Sequence, residues 1–129
     1  MLPNQHKITS SEEFKQTIRR GKRAGGGTVV VHLRPPATST SKNLQHEHTH
    51  MLLTPPPRAG LVVSKAVGNA VTRHRVSRKL RHILMGILPE LEDGTTIVLR
   101  ALAPAATATS KELERDVRTA LAKIRRPKA

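Results

Sequence analysis

RAGLVVSKAVGNAVTRHRVSRKLR, residues 58–81, holds seven Lys or Arg and no acid, and Asp and Glu are missing from His48 through Pro89. Gly60-Leu61-Val62-Val63 reads as a strand, and Gly68 turns the chain. A helix is predicted from about Asn69 to Gly86. Its apolar residues Val76, Leu80, Ile83, Leu84 and Ile87 recur at i, i+4, i+7, i+8 and i+11, one helical face. Arg75, Arg78 and Arg81, with His74 and His82, fall on the opposite face. Arg73 is in line with the apolar stripe but one turn ahead of it, and is expected to point along the sheet edge. Arg73, Arg75, Arg78, Lys79 and Arg81 all lie within nine residues. Nothing in this block can act as a carboxylate base or hold a divalent cation. It can hold phosphate.

Working outward, Ser10-Ser11-Glu12-Glu13 has the form of a capping box, Ser10 capping and Glu13 reaching back. Phe14 and Ile18 follow on one face of a first helix that Gly21 ends. Gly25-Gly26-Gly27 reads as a flexible turn before a strand over Thr28–Leu33, closed by Pro35-Pro36. Residues 35–57, rich in Pro, Thr, Ser and His, read as a long surface loop. Beyond the basic helix, Asp93-Gly94 signals a turn, and Thr95–Leu99 is a third strand. Thr109-Ser110-Lys111-Glu112 is a second capping box. It opens a helix with Leu113, Val117, Ala120, Leu121 and Ile124 on one face. The order α–β–β–α–β–α, with a further strand possible in the 35–57 loop, indicates one α/β domain over residues 1–129 with helices packed on a small sheet.

Composition narrows the function. Twenty-three Lys and Arg against nine acids give a net charge of +14, a field that concentrates polyanions. Each phosphate contact releases counterions, so binding should be salt-sensitive. Phe14 is the only aromatic residue, which argues against a platform that stacks successive bases. There is no cysteine for a disulfide or thiolate site. No signal-peptide pattern opens the chain, and no apolar run approaches the roughly 20 residues of a membrane span, so a cytoplasmic protein without a membrane partner is expected.

At this point the chain resembles the protein subunit of bacterial ribonuclease P. The family pattern is approximately R-x-G-x-x-V-S-K-x-x-G-x-A-V-x-R-N-R-x-K-R-x-x-R. It is matched by Arg58, Gly60, Val63, Ser64, Lys65, Gly68, Ala70, Val71, Arg73, Arg75, Arg78 and Arg81. Two positions depart from it: His74 stands for the usual Asn, and Ser77 for a common Lys. The resemblance implies a mixed sheet of about four strands in an αβββαβα-like order, with a left-handed βαβ crossover against the usual rule. It implies the protein subunit of an endoribonuclease that removes the 5′ leader of precursor transfer RNA. Catalysis and Mg²⁺ belong to the RNA subunit, with no organic cofactor and no metal site in the protein. The implied partners are the catalytic RNA and precursor transfer RNA, with a single protein copy in the ribonucleoprotein. Carried over, Arg73, His74, Arg75, Arg78, Lys79 and Arg81 are the catalytic-RNA-binding set. Phe14, Ile18, Val31, Arg58 and Lys65 fall at positions of the leader cleft. With Ile18 and Val31 where the family commonly has aromatics, leader binding is expected to rest more on charge than on stacking.

Rival readings explain less. A ribosomal or other structural RNA-binding protein accounts for the charge but predicts no leader cleft. A nuclease with its own active site needs clustered carboxylates, or a paired His and acid, and the basic block has neither. A major-groove DNA reader lacks helix-turn-helix spacing. A solvated helix face would ordinarily mix signs of charge, as this one does not. His46-Glu47-His48-Thr49-His50 has alternating imidazoles that suit Zn²⁺ or Ni²⁺, but no second cluster completes a shell. The glycine run precedes a strand, not a helix, so it is no phosphate-cradling loop. Glu90, Glu92 and Asp93 are expected to be solvated.

Overall fold

The computed structural model describes residues 7–8, 11–35 and 56–125. Helix α1 spans Ser11–Arg20 and is followed by strands β1 (Lys22–Gly25), β2 (Val29–Arg34) and β3 (Arg58–Val62). Helix α2 (Ala70–Ile87), strand β4 (Thr96–Ala101) and helix α3 (Ser110–Arg125) complete the order. The sheet order is β1-β2-β4-β3. β1–β2 and β2–β4 are antiparallel, whereas β3 and β4 are parallel, as their connection through α2 requires. This is the α+β architecture with a four-stranded mixed sheet that the resemblance implies.

Alternation along the strands gives the sheet two different faces. Val29, Val31 and Leu33 of β2, Ile97, Leu99 and Ala101 of β4, and Ala59 of β3 face α2 and α3 in one core. The helices meet them with the residues their periodicity selected: Val76, Leu80, Ile83, Leu84 and Ile87 from α2, and Leu113, Val117, Ala120, Leu121 and Ile124 from α3. Truncating a fully buried member such as Leu80 or Leu113 to Ala should cost about 2–5 kcal/mol, the transfer loss plus a cavity. The opposite face belongs to α1 at one end only. Thr17 and Thr96 join their hydroxyls at 2.7 Å, and Phe14 lies over Gly60.

Local chemistry explains most of the boundaries. Asn69 caps α2 by accepting from the Thr72 amide at 2.9 Å, after Gly68 turns the chain at φ +155°, a conformation that other residues resist. The box at α3 is reciprocal: the Glu112 amide donates to Thr109 Oγ1 at 3.1 Å, and the Thr109 amide to Glu112 Oε1 at 2.8 Å. The Thr109 amide, and after it the Thr109 side chain, hold the Glu112 carboxyl below its ordinary range.

The fourth strand of the sheet is β1, directly after α1, where Lys22 and Arg23 pair with Leu33 and His32. Most of the 35–57 loop, the expected place of a further strand, lies outside the described residues. The glycine turn is the β1–β2 hairpin, and it is tied down: Asp116 of α3 accepts from the Thr28 amide at 3.1 Å and the Thr28 hydroxyl at 2.6 Å. Arg58 holds the Glu13 carboxylate at two points, and Ser10, its expected capping partner, lies outside the described residues. Sequence reading also missed Lys7 and Ile8. Ile8 is buried, and its amide donates to the Ala59 carbonyl at 3.0 Å, covering the outer edge of β3.

Candidate nucleic-acid interface

The basic helix presents its charge by exclusion. Five apolar residues of α2 are buried against the sheet and α3, which leaves His74, Arg75, Arg78 and His82 exposed on the outward face. No Asp or Glu occurs anywhere in α2 to neutralise them. Val71, 68% exposed, stands one turn before Arg75 on the same side and gives the face an apolar end. Arg81 flanks it, half-buried.

Two expected members of that set are placed differently from the outward group. Lys79 Nζ donates to the Ala108 carbonyl at 3.1 Å, so this ammonium ties α2 to the segment ahead of α3. Arg73 is half-buried with its Nε covered and without a partner, consistent with a side chain directed along the sheet rather than outward. The outward-facing basic group is thus His74, Arg75 and Arg78, with Arg81 at its margin.

The second surface is the sheet face that α1 only partly covers. Phe14 lies on Gly60, and Ile18 follows one turn on, half-buried. Arg58 sits beside them, but its guanidinium is engaged by Glu13. Lys65 is exposed beyond the end of β3, where Val62 pairs with Arg100. Val31 does not join them. It is 0% exposed in the core with α2 and α3, because the two-residue period of β2 turns it to the other face. Its neighbours Val30 and His32 occupy the face that Val31 was expected to line. The run of three valines in Thr28–Leu33 gives no sign of which parity faces the helices.

His32 is 1% exposed, and neither ring nitrogen has a hydrogen-bond partner. Burial, with the positive charges of Arg100 and Arg23, holds its pKa below the ordinary 6.5. None of the four strands contains Asp or Glu, so the charges they bring to this face are all positive. Among the described residues no group of three His, Asp or Glu could hold a metal, and no helix is long and apolar enough to cross a membrane. The run His46–His50 lies outside the described residues. Glu90 and Glu92, with Asp93, are exposed as expected, and Glu90 pairs with Arg118 at 3.1 Å.

The family profile described as Ribonuclease P matches residues 2–125. The chain belongs to the ribonuclease P protein family. It is 52% identical over 126 residues to the ribonuclease P protein component of Corynebacterium diphtheriae, covering 98% of both chains. It is 45% identical over 125 residues to that of Mycolicibacterium vanbaalenii, covering 97% of this chain and 94% of the relative. The fold matches the RNase P protein of Staphylococcus aureus with a TM-score of 0.68 at 21% identity, over 92% of this chain and 96% of that one. The RNase P protein of Thermotoga maritima matches with 0.64 at 16% identity, over 95% and 98%. As a ribonuclease P protein, the chain is a partner of the ribonuclease P RNA and takes part in transfer-RNA processing.

Proposed function

We propose that the chain is the non-catalytic subunit of ribonuclease P, docking on the catalytic RNA through the outward face of α2 and holding the precursor's 5′ leader along the open sheet face beside α1. The observation that carries this reading is the separation of two positive surfaces. His74, Arg75 and Arg78 point away from the sheet on a helix without acids, while Lys65, Arg23 and Arg100 belong to the sheet and its β3 end. Phosphate contacts of this kind position RNA without reading its sequence, which suits a subunit that must accept many leaders. Mg²⁺ enters through the RNA; the protein's part is to hold two RNA segments in register, one protein copy serving both.

Reconstitution tests this. Protein stripped of RNA should cleave nothing, and catalytic RNA added with Mg²⁺ should yield 5′-matured transfer RNA. Leader removal by the RNA-free protein would overturn the assignment of roles.

A further inference from the structure

Three strands bring Arg23, His32 and Arg100 to one face of the sheet, the arginines exposed and His32 covered. Arg23 is directly opposite His32 across β1–β2. On the other side Val98 is opposite His32, and Arg100 is two residues further along β4, facing the same way. Both arginines are exposed, while the imidazole between them is buried with two idle nitrogens. Burial and two guanidinium groups beside it disfavour its protonation. A phosphodiester bridging the exposed Arg23 and Arg100 would offset their charges and place a negative charge near the ring, which would then take a proton from solvent.

We infer that Arg23, His32 and Arg100 form a phosphodiester subsite for the single-stranded leader, at which the imidazole takes up a proton as the RNA arrives. This rests on the leader reading above and adds to it a linkage between leader affinity and pH. The charged groups bearing on the ring are Arg23 from β1 and Arg100 from β4. From α1, the nearby acid Glu13 is held by Arg58, and Phe14, Thr17 and Ile18 are uncharged. Among the described residues, no acid on these elements is left to substitute for the ligand's negative charge. The ring is neutral in the free protein at pH 7, and binding raises its pKa, so affinity must rise as pH falls.

The experiment measures binding of leader-bearing precursor and of mature transfer RNA to the reconstituted holoenzyme from pH 5.5 to 8, for the unaltered protein, His32→Gln and His32→Phe. The ratio of the two affinities isolates the leader. It should fall about three- to tenfold between pH 6 and pH 8 in the unaltered protein, within the limit of tenfold per pH unit for one linked proton. It should be flat in both variants. Arg23→Ala and Arg100→Ala should lower the ratio throughout. Proton NMR on the protein alone, with His32 assigned from the Gln variant, should show its titration moving to higher pH when a short single-stranded RNA is added. A clear leader preference that is independent of pH, or a slope that survives His32→Gln, overturns the subsite and leaves the leader reading intact. Absence of any leader preference in the unaltered protein overturns the leader reading itself.

Discussion

The ring of Phe14 rests on the backbone of Gly60. A methyl group at residue 60 would stand 2.3 Å from Cζ and 2.4 Å from Cε1, closer than such atoms can approach. Gly60 is therefore the seat that lets α1 lie on the sheet. Gly60→Ala should destabilise the protein by about 1–3 kcal/mol through this overlap. In a Phe14→Ala background the same change should cost far less, because the two residues pack directly on each other. Denaturant unfolding of the four proteins in this cycle checks it; additive effects would show that Phe14 does not need the seat.

Arg58 and Glu13 form a two-point pair, each about a quarter exposed, between β3 and α1. Solvent screening limits its worth to about 1 kcal/mol or less. Its effect on function should be positional. Glu13→Gln and Arg58→Gln should lower leader affinity alike, by about twofold to tenfold, since each lets α1 shift. If Glu13→Gln instead strengthens leader binding, then Arg58 is a direct phosphate ligand that Glu13 restrains.

Arg75→Ala with Arg78→Ala should weaken binding to the catalytic RNA. The log–log salt slope should shrink by on the order of 1 for each phosphate that the variant no longer neutralises. Lys79→Ala removes a bond to the Ala108 carbonyl, not an outward charge, so its main effect should be on stability, about 1 kcal/mol. Lys65→Ala should spare catalytic-RNA binding and lower the preference for leader-bearing precursor. Salt titrations with catalytic RNA, precursor and mature transfer RNA separate the three. Equal weakening of catalytic-RNA binding in the first and last proteins would mean one continuous basic footprint.

The folded-state pKa of His32 is below the ordinary 6.5. The unfolded chain therefore binds the proton more readily, and the neutral ring's contribution to stability is present above about pH 6.5 and lost as pH falls through the folded value. In chloride, acidification below pH 6.5 should lower the melting temperature, and His32→Gln should make that decline shallower. A variant with an unchanged acid limb would remove His32 from the titration.

A net charge of +14 on a single small core implies self-repulsion that anions relieve. Thermal melts at matched ionic strength should give a higher midpoint in sulfate than in chloride. Equal midpoints would argue against coupling of folding to anion binding.

How far the sequence can be read depends on how strongly each element is patterned. The buried faces of α2 and α3 follow from five apolar residues each, spaced as a helix demands, and all ten are buried. β1 gives no such signal, because Lys22-Arg23-Ala24-Gly25 has neither β-branched residues nor alternation; it is a strand only because β2 lies beside it. Val31 and His32 exchange faces relative to expectation for a related reason. A strand whose two faces are both largely buried has no polar parity to mark the solvent side. Nor does charge alone distinguish Lys79, used within the fold, from Arg78, left outside it. That difference arises from the Ala108 carbonyl, 29 residues away.

The strand at the centre of the sheet is nearly the last to be made. β4 lies between β2 and β3 and supplies hydrogen bonds to both, yet it begins at Thr96 of a 129-residue chain. When about 90 residues have been made, β1 and β2 can pair, but β3 has no neighbouring strand and the basic helix has no complete sheet to lie on. Open strand edges invite mispairing, and synthesis at about 5–20 residues per second leaves them open for seconds. The nascent chain therefore cannot complete its sheet from the N-terminal hairpin alone. It must wait for β4, and during that wait its uncovered cations are available to whatever RNA is nearby.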